Sequence, residues 1–119
     1  MTAPVKFELA KLLKEKGFEI FTAFEYTDSG KLVERRNCAQ NRLCSAPTIA
    51  EVAMWLYEKH GLWTNVVYMG FELKYSWSID IVTTSGSHWD SYGEEGDICY
   101  NSPTEAYEAA ILYTLNNLI

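Results

Sequence analysis

Apolar and polar positions along the chain follow two periods, and each change of period marks a predicted element. From Val5 to Lys16, Val5, Leu9, Leu12 and Leu13 recur at the i, i+4, i+7, i+8 spacing of one helical face, with Lys6, Glu8, Lys11, Lys14 and Glu15 elsewhere. The spacing predicts a first helix, closed by Gly17 as a C-terminal cap. Phe7 falls off the stripe and is expected to contact a neighbouring element. Residues 18–27 are dense in β-branched and aromatic side chains, with Phe18, Ile20, Phe24 and Tyr26 on one face of a predicted strand. Asp28, Ser29 and Gly30 signal a turn, and residues 31–36 fit the return strand of a hairpin. From Asn37 to Ala46 the composition turns polar, which predicts a loop or a short irregular strand.

A second helix is predicted to enter at Ala46, Pro47 and Thr48, where Thr48 and Glu51 have the spacing of a capping box. Ile49, Val52, Ala53 and Leu56 form its apolar stripe, and it should stop near His60 and Gly61. Residues 64–83 read as two antiparallel strands broken near Met69 and Gly70. Phe71, Leu73, Tyr75, Trp77, Ile79 and Ile81 alternate there with Glu72, Lys74, Ser76, Ser78 and Asp80, so one side of the sheet is buried. Ser85 to Asp97, rich in Gly, Ser and acids, predicts a turn and an exposed loop before a short strand from Ile98 to Tyr100. The last helix has Ser102 as cap, Pro103 at its first position and Glu105 completing the box, then runs through Tyr107, Ala110, Ile111, Leu115 and Leu118. The two later helices share Pro, Thr, two Ala, Leu and Tyr at an offset of 56 residues, which one helix-entry solution used twice explains as well as a duplication does.

These elements predict the α+β class: an antiparallel sheet of four or five strands with three helices packed mainly on one face. A length of 119 residues, 48% of them hydrophobic, suits a single domain over residues 1–119. No apolar export segment opens the chain and no run is long enough to span a membrane, so a cytoplasmic protein without a membrane partner is expected. The net charge of −6 is unevenly spread. Arg35, Arg36 and Arg42 fall in one window, whereas residues 75–119 hold acids and no Lys or Arg. Such a division suits a polar partner surface or the docking of one part, or one subunit, on another.

Candidate chemistry is sparse. Cys38, Cys44 and Cys99 lack the spacing of a zinc site and are expected to be structural thiols. His88, Asp90, Glu94, Glu95 and Asp97 offer metal donors, but not at the alternate positions of a calcium loop with a terminal bidentate Glu, so a solvated loop is the better reading. Cys99, His88 and Asp90 suffice on paper for a thiol or hydrolytic enzyme, against a buried cysteine on a short strand. His60 at a helix C-terminus has a structural role in the dipole. Trp55, Trp63, Tyr68, Tyr75 and Trp77 have the faces to stack bases or a peptide, with core packing as their default. The window from Lys31 to Arg42 is basic enough to meet phosphates, yet nucleic-acid binders usually carry positive charge over the whole domain.

Residues 7–18, Ala46 to Thr48 with Trp55 to His60, and Thr104 to Ile111 ahead of Leu115 together resemble small uncharacterised proteins encoded by prophages and mobile elements of gut Bacteroidetes. The resemblance covers most of the chain and implies a prophage accessory role, with no catalytic residues to carry over. The sequence thus leads to a non-enzymatic binding protein without cofactor or metal. Its expected partner is another protein or a second copy, reached through Arg35, Arg36, Arg42, Trp89 and Tyr92. Nucleic-acid binding through the arginine window and an enzyme built on residues 88–99 are the alternatives.

Overall fold

The structure, a computed structural model, describes residues 3–20, 22–34, 44–70, 74–82, 88–93 and 100–119, with residues 69 and 88–93 described by their backbone. Among these lie three helices and six strands in two antiparallel sheets of three, where one sheet of four or five strands was expected. The chain divides into two compact units, Met1–Glu51 and Val52–Ile119.

In the first unit, α1 (Phe7–Glu15) buries Leu9, Ala10 and Leu13 and lies against β3. Gly17, at φ +94°, follows it in the left-handed conformation that a C-terminal cap requires. β1 (Phe24–Tyr26) is central, pairing with β2 (Leu32–Glu34) on one side and β3 (Cys44–Ser45) on the other. The expected strand over residues 18–27 is thus cut to three residues. Thr22 donates its hydroxyl to the Phe24 carbonyl at 2.6 Å, a side-chain bond that competes with ladder formation. Phe18 and Tyr26 are buried, whereas Ile20 and Phe24 are exposed. Between β1 and β2 the Gly30 amide donates to the Thr27 carbonyl at 2.9 Å, and Gly30 sits at φ +85°, the left-handed position that closes a three- to five-residue hairpin. Val5 donates its amide to the Pro47 carbonyl at 2.8 Å and accepts from the Tyr26 hydroxyl, tying the N-terminal segment across this sheet.

α2 (Ile49–His60) opens on a reciprocal capping box: the Thr48 amide donates to Glu51 Oε1 at 2.9 Å and the Glu51 amide to Thr48 Oγ1 at 3.2 Å. α3 (Pro103–Asn117) opens on Ser102, whose Oγ accepts the Glu105 amide at 3.2 Å, with Pro103 in the first turn. The shared Pro-Thr pair is therefore used two residues out of step. Pro47 precedes the cap of α2, while Pro103 follows the cap of α3, which favours one entry chemistry reached twice over a copied segment.

The second unit is built on β4 (Leu62–Met69), β5 (Lys74–Val82) and β6 (His88–Gly93), in that order across the sheet. β4 and β5 pair without a slip from Leu62↔Ile81 to Met69↔Lys74. Directly opposed residues share a face, so Leu62, Thr64, Val66 and Tyr68 lie with Ile81, Ile79, Trp77 and Tyr75. α3 packs on these strands with Ala106, Ala110, Ile111, Thr114 and Leu115 buried, and the Trp77 and Tyr113 rings stand 5.1 Å apart. On the same side, Thr64 Oγ1 and Trp77 Nε1 are buried without a hydrogen-bond partner among the described residues. The expected loop over residues 85–97 is, at 88–93, a strand on the far edge of β5, with a bulge between Asp80 and Val82. Trp89 and Tyr92 give this segment the β-propensity that its Gly, Ser and acid content obscures. Tyr100 bridges to Tyr75 by two backbone bonds of 2.8 Å. Gly61, at φ +65°, joins α2 to β4. Its amide donates to the Tyr57 carbonyl at 3.1 Å, its carbonyl accepts from Val82 at 2.8 Å, and a Cβ there would lie 3.1 Å from the Val82 carbonyl oxygen.

Phe7 does contact a neighbouring element. Its ring stands 5.2 Å from that of Tyr26, and a Cβ on Gly30 would come within 2.9 Å of it. Gly30→Ala therefore meets both left-handed strain and a ring, and is expected to lower stability by about 1–3 kcal/mol. A urea-melt double-mutant cycle with Phe7→Leu should show that part of this loss is shared between the two positions.

Candidate interaction surface

Two features of the described residues offer candidate chemistry. The first is a cleft of about 250 Å³ in the 1–51 unit, lined by Phe7, Lys11, Lys14, Glu15, Tyr26, Thr27, Asp28 and Cys44. α1 supplies both lysines from successive turns, and β3 places Cys44 on the opposite wall. Lys11 lies 4.9 Å above the Phe7 ring and 3.4 Å from Glu8, an exposed ion pair of little energetic weight. Burial pushes the Cys44 thiol up from its ordinary value, against the opposing pull of Lys14 and Lys11. A thiol held in its protonated form is a poor nucleophile, and the cleft is smaller than the usual small-molecule site.

The second feature is the face of the β4–β5 ladder turned away from α3. Here Trp63, Asn65 and Val67 of β4 stand opposite Asp80, Ser78 and Ser76 of β5. The Trp63 indole N–H donates to Asn65 Oδ1 at 3.0 Å, and Asn65 Nδ2 donates to Asp80 Oδ2 at 2.8 Å. This relay uses both functions of the amide and fixes the indole. Tyr57, on the last turns of α2, meets the Trp63 ring edge-on at 5.6 Å. Tyr57 and Trp63 are 42% and 41% exposed, and Val67 is 52% exposed; Tyr68, 53% exposed, belongs to the α3 side at the end of the strand. Paired rings held by a polar relay and left wet differ from singly scattered apolar residues, which need no explanation.

Trp55 and Trp77 are buried as their default reading expects, but Trp63 and Tyr68 are not core residues. Trp63 has the parity of the polar face, and Tyr68 lies near the end of its strand. His60 ends α2 as expected, exposed, with its ring 5.0 Å from that of Trp55. Arg35, Arg36 and Arg42 lie outside the described residues, as do Cys38, Glu94, Glu95, Asp97 and Cys99. Trp89 and Tyr92 are placed by backbone on β6, with Tyr92 opposite Ile79, and His88 and Asp90 belong to the same strand. The partner surface expected from the sequence and the Tyr57–Trp63–Val67 surface have no residue in common. The signal that points to the latter is Leu62 to Met69 itself, eight residues without a charge in which apolar side chains occupy both parities.

Because the Cys44 thiol is more acidic in the unfolded chain than in the folded one, the folded state keeps its proton to higher pH. Stability from this group is complete below the ordinary thiol range and is lost as pH rises from that range through the higher folded value. Native Cys44 is expected to resist iodoacetamide at neutral pH and to react as fast as a free thiol in denaturant, read by peptide mass mapping. Among the described residues no helix is long and apolar enough to cross a membrane, and no three His, Cys, Asp or Glu side chains converge as metal ligands. Compared with family models, curated proteins and solved structures, the chain matches none.

Proposed function

We propose that the chain is a non-enzymatic binding module that acts by contact with a polypeptide, as an accessory protein of the cytoplasm. The observation that carries this reading is the wet aromatic pair Tyr57–Trp63 beside Val67, on a strand that carries no charge. Large apolar and aromatic side chains exposed together lose water on docking and supply anchor residues, which are enriched in Trp and Tyr. The Trp63–Asn65–Asp80 relay holds the central ring in place before any partner arrives, so little of the contact energy is spent on ordering it. The prophage origin implied by the resemblance is compatible with this role and adds no residue to it.

Site-specific photo-crosslinking in the cells that produce the protein tests the reading. A benzophenone amino acid at position 67 should give, on irradiation, an adduct of the chain with a polypeptide. The same group at Glu19, exposed in the other unit, should give none above background. Trp63→Ser introduced beside the probe should reduce the adduct several-fold, in line with the loss of an anchor worth roughly 1–2 kcal/mol. Equal adduct yields at positions 67 and 19 overturn the proposal.

A further inference from the structure

We infer that the partner of this surface is a second copy of the chain, joined by antiparallel pairing of β4 with β4 along its open edge, Trp63 of each copy opposite Val67 of the other. The inference rests on the binding-module reading and names its partner. β4 is the outer strand of its sheet, eight residues long, and among the described residues no backbone hydrogen bond outside the β4–β5 ladder engages it. Exposed edges of this length are normally blunted by charge, proline, a bulge or a covering segment. Leu62 to Met69 contains neither a charged residue nor proline, in a chain of which 22% is charged, and the bulge of this sheet lies on the opposite side of β5. The edge is thus left competent to pair.

Three features select a second copy as the occupant. An uncharged strand laid against itself brings no like charges face to face, although the whole chain carries −6. On the outer face, Lys74 marks the end of the ladder opposite Met69, and Asp80 the end opposite Trp63. An antiparallel two-fold contact brings the Lys74 end of each copy towards the Asp80 end of the other, whereas a parallel contact would bring like ends together. With Asn65 on the two-fold axis, Trp63 meets Val67, Leu62 meets Tyr68 and Thr64 meets Val66, so the exposed Trp63, Val67 and Tyr68 each gain an apolar partner. This register also keeps both α3 layers on one side of a joined six-stranded sheet.

Sedimentation equilibrium of the full chain over roughly 1 to 100 µM brackets the micromolar affinity expected of so small a contact. The mass should rise from one chain to two and stop there. Val67→Asp sets a carboxylate beside the partner's indole and towards the partner's Asp80, and should hold the mass at one chain throughout, with an unchanged thermal midpoint at about 1 µM, where both chains are single, because position 67 is exposed. Asn65→Cys, oxidised under mild conditions, should give a disulfide between the two introduced thiols, located by mass spectrometry of the unreduced digest. A one-chain mass at all concentrations overturns the inference, as does a dimer that survives Val67→Asp, or growth beyond two copies. If the native chain stays single yet the position-67 probe still captures a different polypeptide, self-pairing falls and the binding-module reading stands. If it stays single and the probe captures nothing, both fall.

Discussion

The unslipped pairing of β4 with β5 is the interaction on which the 52–119 unit depends. Side chains alternate along a strand, so a shift of one residue would move Trp77 and Ile79 from the α3 side to the outer side and bring Ser76, Ser78 and Asp80 under the helix. The penalty for burying those polar groups far exceeds what a ladder bond returns. α3 enforces the register from above with Ile111 and Leu115, each buried side chain contributing roughly 1.5–3 kcal/mol. One helix covers one face, and Trp63 and Val67 on the other face are left in water.

The first unit solves a different problem, because its strands span only two or three residues and their ladders are too short to be stable alone. Bonds from side chains to the backbone substitute for ladder length. Thr22 reaches the Phe24 carbonyl, Ser45 reaches the Ile20 carbonyl at 3.3 Å, and Tyr26 reaches Val5 across the sheet. Each bond ties down a residue outside the three strands, Thr22, Ile20 or Val5, and the Phe7 ring seals the hairpin turn against α1.

How much was legible in the sequence follows from which interactions are local. Both caps, the glycine stops at Gly17 and Gly61, the hairpin at Gly30 and the strict alternation of β5 depend on neighbours within a few residues, and all stand where the pattern put them. The division into two sheets depends on long-range pairing, which no local period records. β6 was hidden because Gly, Ser and acids mark turns in isolation, while pairing to β5 overrides that preference. The interaction surface was hidden for a related reason. The parity of Trp63 is decided by its register against Asp80, and β4 read alone has no polar alternation to reveal it.

Gly61 gives the aromatic pair a mechanical property. A single residue reverses the chain from helix to strand, and it is pinned at its amide by Tyr57 and at its carbonyl by Val82, so no slack separates the two rings. Loops that present binding residues usually trade precision for adaptability. Here the presenting segment is as stiff as the secondary structure on either side, and the surface should therefore accept few shapes and reject most others without having to rearrange.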